Sequence, residues 1–178
     1  LENRADYKKK TGNEVEEATT HLIVREGELS DIVIVTHQET DGLFLNVLPH
    51  ELGHAVLSYA VKDNGKLPLA LQEGFAVSVE PLFKRKYYTE IVSRSLKQGQ
   101  QFSIQNLFNL KDYPSNVRQF YAQSYSIISF LISKIGIDKF FELAVTCRDN
   151  GIAEALREHS AYMSLRDLEN DWLDYVQR

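Results

Sequence analysis

His50-Glu51-Leu52-Gly53-His54 decides how this chain reads. It lies in an apolar stretch that runs from Leu43-Phe44-Leu45-Asn46-Val47-Leu48 to Val56-Leu57-Ser58-Tyr59-Ala60-Val61. A run of that length reads as a buried helix rather than a strand. Pro49 sits inside it, and proline is tolerated only in the first turn, so the regular helix is expected to begin near Pro49. The turn cluster Lys62-Asp63-Asn64-Gly65-Lys66 then ends it. A second helix is expected from around Pro68, carrying Leu71-Gln72-Glu73-Gly74-Phe75-Ala76-Val77-Ser78-Val79-Glu80. Two helices joined by a short loop become antiparallel neighbours.

That arrangement has a chemical consequence. Residues four apart share one helix face, so His50 and His54 can close on the same metal ion. Glu51 is rotated by about 100° from His50, which puts its carboxylate beside the ion, where a water would sit. Glu73 follows His54 after eighteen intervening residues, and the neighbouring helix brings it within reach as third ligand. Two imidazoles and a carboxylate suit Zn²⁺, and a catalytic zinc takes three protein ligands and keeps one position open. The plain alternative is a packed helix pair with two helix histidines and a surface Glu. Three ligands and a base at these spacings argue against it.

HELGH followed by Leu71-Gln72-Glu73-Gly74-Phe75-Ala76 resembles the gluzincin metallopeptidases, most closely the aminopeptidase N branch and the smaller bacterial peptidase MA-like domains. The segments from Tyr121 to Leu131 and from Ile135 to Phe140 look like the next helix pair of that family. Ile152-Ala153-Glu154-Ala155-Leu156 and Leu168-Glu169-Asn170-Asp171-Trp172 look like its ending, so the resemblance covers residues 43–178. It implies a zincin-like catalytic domain in which His50, His54 and Glu73 hold Zn²⁺ and a peptide or protein is the substrate. Two departures matter. Metzincins continue with Gly and His at positions occupied here by Leu57 and Ala60, which excludes that class. Thermolysin-like enzymes place an Asp where Val77 stands, so the partner that orients a ligand histidine must come from elsewhere. Glu80 is one candidate, and an ordinary acidic residue at a helix end before Pro81 is the other reading. The aminopeptidases also carry an upstream GxMEN segment, and residues 1–42 contain nothing like it. An endopeptidase is therefore expected over an aminopeptidase.

In such a site zinc acidifies its water toward a pKa of about 7 and polarises the scissile carbonyl. Glu51 would take the water's proton and pass it to the leaving amine, a role worth about 10² to 10⁴ in rate. The oxyanion needs a further donor. In the aminopeptidase branch a tyrosine precedes a small-residue step on the next helix, which implies Tyr121 here, with Tyr125 one turn further as the substitute. Nine tyrosines in the chain also serve as ordinary core and rim residues. The resemblance further implies a strand edge beside the active helix that pairs with the substrate backbone, and Ile32-Val33-Ile34-Val35-Thr36 is the candidate. His21, His37 and His159 have no second ligand at metal spacing. His37 alone is kept as a residue that a strand near the active helix could present to substrate.

The rest of the chain frames that reading. Its 178 residues, 43% apolar, suffice for one compact domain. A net charge of -5 and a pI near 5.6 argue against a nucleic-acid surface, and Lys84-Arg85-Lys86 reads as a solvated helix start. No apolar run approaches the eighteen or more residues of a membrane span, and no signal peptide is present. The chain begins at Leu1 without Met, as expected of a piece of a longer precursor, so a leader or anchor could lie outside it. The single Cys147 allows no internal disulfide and leaves the compartment open; the family resemblance leans toward an extracytoplasmic one. Residues 1–18, with Lys8-Lys9-Lys10 and Glu14, Glu16 and Glu17, are expected as a helix or a loose arm. Two β-branched runs, Thr19 to Val24 and Ile32 to Thr36, are expected as a hairpin. Helices follow near 49–61, 68–80, 85–98, 103–109, 116–134, 137–149, 151–158 and 164–177. The expected fold is α+β, mostly α: an N-terminal arm with a small hairpin over 1–42 and a helical body over 43–178. Two functions follow from it, an active zinc peptidase or a catalytically inactive zincin-fold binding or scaffold module of a larger protein, with intact Glu51 and ligands favouring the first. A helical regulatory domain without metal would require the whole signature to be accidental.

Overall fold

The computed structural model describes residues 1–12, 17–38, 40 and 42–177; Glu14 and Glu16 of the charged N-terminal segment lie outside these. Among the described residues the fold is α+β and mostly α, with one two-stranded antiparallel sheet ahead of a helical body. The arm forms α1 (Arg4–Thr11), started by the Asn3 side chain, which accepts the Asp6 N–H at 2.9 Å. Strands β1 (Ala18–Arg25) and β2 (Glu28–Thr36) then pair from Ala18 opposite Thr36 to Arg25 opposite Glu28. Their turn is only Glu26-Gly27, with φ of 53° and 86°. Positive φ at both central residues defines the hairpin turn whose twist matches that of the strands. This two-residue return starts β2 at Glu28, well before the expected Ile32.

A π-helical turn, Leu43–Val47, leads into α2 (Leu48–Val61), with Pro49 in its first turn as expected. The loop after α2 is tied by buried Asp63, whose Oδ1 accepts the N–H groups of Gly65, Lys66 and Leu67 at 3.1, 3.0 and 3.3 Å. Helix α3 (Leu69–Ser78) follows, then α4 (Leu82–Lys97). Both boundaries near Pro81 differ from expectation, since α3 stops at Ser78 rather than Glu80 and α4 starts at Leu82 rather than near Arg85. Proline disfavours helical backbone in the residue before it, while its own fixed φ, here -56°, suits a helix start. The body is completed by α5 (Ile104–Asn109), α6 (Val117–Ile135), α7 (Ile137–Asn150), α8 (Ile152–His159) and α9 (Leu165–Val176).

One apolar core joins these helices, with Leu57, Leu71, Phe120, Ile127, Phe140 and Trp172 fully buried. Phe75 stacks on Phe140 with centroids 5.6 Å apart, and Trp172 Nε1 donates to Ser126 Oγ at 3.0 Å. Cys147 packs there too, its thiol pushed up to about 12 by burial first and the Asp63 carboxylate second. Two glycines set how closely α3 is held. A Cβ on Gly53 of α2 would lie 2.7 Å from Ala76 Cα, and one on Gly74 of α3 would lie 2.5 Å from the Ser124 carbonyl oxygen of α6. Neither space admits a side chain, so α3 is clamped between α2 and α6. No helix among the described residues is long and apolar enough to cross a membrane.

Candidate metal centre

The clamp brings α2 and α3 together in antiparallel register, with His54 beside Glu73, Gly53 against Ala76 and His50 near Glu80. Three ligand atoms converge. His50 Nε2 and His54 Nε2 are 3.1 Å apart, and Glu73 Oε2 lies 3.2 Å from the first and 3.5 Å from the second. In a tetrahedral site with bonds of about 2.0–2.1 Å, neighbouring donor atoms are about 3.3 Å apart. The three atoms therefore already form one face of such a tetrahedron, and they are the group among the described residues that could hold a metal ion. Glu73 Oε2 is moreover a buried oxygen with no hydrogen-bond partner. An ionised oxygen there is costly unless a cation meets it, a protonated His50 ring in the metal-free protein or a metal ion in place of that proton. The donor set and the orphaned oxygen both fit a divalent metal of the zinc type.

The outer contacts are equally specific. His50 uses its other ring nitrogen, Nδ1, toward Glu80 Oε1 at 2.7 Å, a carboxylate–histidine pairing that fixes ring tautomer and orientation. Glu80 is buried, and Lys84 Nζ stands 3.4 Å from its Oε2 while donating to the Asn46 carbonyl at 2.9 Å. Glu80 reaches His50 from the break between α3 and α4, just beyond the end of α3 at Ser78. Burial alone would lower the His50 pKa, but the Glu73 and Glu80 carboxylates outweigh it and raise the pKa to about 10. Burial alone would likewise raise that of Glu73, but the imidazoles of His50 and His54 hold it far below the usual carboxylate range. The second Glu73 oxygen, Oε1, accepts a hydrogen bond from the Tyr113 phenol at 2.6 Å. Burial first, then the Glu73 charge, pushes Tyr113 well above its ordinary value, so it stays a donor.

Glu51 lies on the same helix, largely buried, with Thr20 of β1 donating to its Oε2 at 2.5 Å and to its backbone carbonyl at 3.1 Å. A cavity of about 150 Å³ opens over these groups, walled by Thr19, Thr20 and Leu22 of β1, by Ser58, Leu69 and Gln72, and by Tyr113 and Tyr121. A second hollow of about 240 Å³ shares His50, Glu51 and Tyr121 and continues past Ala18, Asn46 and Tyr88.

The structure thus brings His50, His54, Glu73, Glu51 and Tyr121 together. Tyr121 sits with its ring centroid 5.9 Å from that of His50. Tyr125, one turn on, lines a separate hollow with Thr89 and Val92. The strand beside the cavity is β1, not the expected 32–36 segment, because β1 is the strand whose Thr20 bonds to α2 and whose residues wall the opening. His37 does not reach the site; it is 2% exposed, packed on Tyr7 with centroids 5.5 Å apart, and its Nε2 is 3.3 Å from Glu17 Oε2. His159 contacts Thr146 Oγ1 at 2.7 Å, far along the chain from the metal residues. Sequence reading missed Thr20 and Tyr113, one inside a β-branched run and one inside a turn before Pro114.

A sequence model of the Peptidase MA superfamily matches residues 32–178, a span that includes His50, Glu51, His54 and Glu73. No curated protein and no solved structure matches the chain.

Proposed function

The chain belongs to the Peptidase MA superfamily, and from that premise we propose that it is a zinc-dependent peptidase that uses Glu51 as general base. The observation that carries this reading is the donor triangle of His50 Nε2, His54 Nε2 and Glu73 Oε2, with edges of 3.1 to 3.5 Å and a base from the next residue of the same helix. Zinc bound there would supply an acidified water and a polarised carbonyl. The protein's own groups do the rest. Thr20 engages Glu51 Oε2, which leaves the other carboxylate oxygen to take the proton of the attacking water and return it to the leaving amine. Tyr121, on the cavity wall, donates to the oxygen on which negative charge develops. Both hollows are lined by His50, Glu51 and Tyr121, so there is space to either side of these residues for an extended peptide with chain on both sides of the cleaved bond. That favours internal cleavage over removal of an N-terminal residue.

Elemental analysis of the purified protein beside His50→Ala tests the reading. One zinc per chain, lost in the variant, together with hydrolysis of internally quenched peptides that Glu51→Gln abolishes while keeping its zinc, is the expected result. No zinc after reconstitution at neutral pH would sink it. Zinc loss in Glu51→Gln would make Glu51 a ligand rather than the base.

A further inference from the structure

The two oxygens of Glu73 stand in different surroundings. Oε2 has no hydrogen bond and faces the ring nitrogens of His50 and His54 at 3.2 and 3.5 Å. Oε1 is held by the Tyr113 hydroxyl at 2.6 Å. A carboxylate can give a metal one oxygen or both. If Glu73 gave both, the second would come in as a fifth donor beside the bound water and crowd the position that a hydrolytic zinc keeps for water and substrate. We propose that Tyr113 is a positioning residue that holds Glu73 to one-oxygen coordination by engaging Oε1, and so keeps the metal four-coordinate, with its fourth position left to solvent. This inference rests on the metal reading given above.

The loop that carries Tyr113 is built to hold it there. It joins α5 to α6, and Pro114 disfavours helical backbone at Tyr113. The Tyr113 ring packs edge-on against Phe120, with centroids 5.9 Å apart at 84°, and lies 6.0 Å from the Tyr121 ring. These contacts come from the helix that Gly74 presses against α3, so ring, loop and Glu73 share one packed unit. Outer partners of this kind set ligand orientation throughout metal sites. Here the partner selects which oxygen is presented.

The experiment is X-ray absorption on the zinc-loaded protein and on Tyr113→Phe, with visible absorption of the cobalt-substituted forms. Phenylalanine keeps the ring contacts and removes only the hydroxyl. The wild type is expected to show four nitrogen or oxygen neighbours and the intense visible bands of a four-coordinate cobalt site. In Tyr113→Phe a fifth neighbour should appear as Glu73 swings to give both oxygens, with several-fold weaker cobalt bands and an unchanged metal content. An unchanged coordination number and cobalt spectrum in the variant would overturn the Tyr113 role while leaving the metal reading intact. A wild type that binds no metal would overturn both.

Discussion

His50 Nδ1 and Glu80 Oε1 lie 2.7 Å apart, so the ring that turns Nε2 toward the metal position is fixed from behind by a buried carboxylate. Lys84 in turn stands 3.4 Å from the far oxygen of Glu80 and is tied to Asn46. Removing the carboxylate frees the imidazole to rotate or change tautomer. Glu80→Gln is expected to weaken zinc retention by about 10- to 100-fold. Glu73→Ala should weaken it further, since it removes a ligand. Competition with a chromophoric chelator measures both, and a Glu80 variant that holds zinc as tightly as the wild type would remove Glu80 from the site.

The two carboxylates beside His50, at 3.2 and 2.7 Å, set the sign expected for the pH dependence of the metal-free protein. The folded pKa of His50 is about 10, against an ordinary value of 6.5. A pKa raised by folding stabilises the fold fully below the unfolded value, and that contribution is lost as the pH climbs through the folded one. The thermal midpoint of chelator-treated protein should therefore fall between pH 6.5 and about 10, with the decline missing in His50→Gln. Zinc must displace the same proton, so its apparent affinity should rise by about tenfold per pH unit across that window. Calorimetry in buffers of different ionisation enthalpy reads the released proton directly. Binding without proton release at neutral pH would contradict the ion-paired His50.

The helical body was legible because apolar residues recur with the period of a helix, and Gly and Pro mark most of its breaks. The convergence of His50, His54 and Glu73 was legible because spacings of four and of eighteen residues translate directly into helix geometry. What was not legible came from pairings without local signature. Thr20 meets Glu51 across 31 positions and Tyr113 meets Glu73 across 40. A threonine in a strand and a tyrosine in a turn look ordinary until the chain folds. The choice between β1 and β2 as cavity wall was hidden for the same reason. Both strands are β-branched, and only the docking of the hairpin on α2 distinguishes them.

Gly74 links packing to the candidate metal site. A methyl group there would meet the Ser124 carbonyl oxygen and Ile128 Cγ1, both at 2.5 Å, and backbone does not yield as a flexible side chain would. Gly74→Ala should push α3 off α6 at a cost of about 1–3 kcal/mol and displace its neighbour Glu73 from the two histidines. The expected outcome is a lower thermal midpoint together with weaker zinc binding. A variant destabilised but with unchanged zinc affinity would show that Glu73 does not depend on the helix contact for its position.

Tyr121 and Tyr125 are separated by one helical turn but face different spaces. Tyr121 walls the cavity over the metal residues, whereas Tyr125 lines the hollow beside Thr89 and Val92. A donor aimed at developing negative charge contributes mainly to kcat rather than to substrate binding. Tyr121→Phe is thus expected to lower kcat by about 10² to 10³ with little change in KM and with zinc retained. Tyr125→Phe should leave both constants near the wild-type values, since Tyr125 lines the other hollow. Steady-state kinetics on one quenched peptide compares the pair. Equal losses in the two variants would point to a shared structural role on α6, and an unaffected Tyr121→Phe would place the oxyanion donor on another residue of the cavity wall.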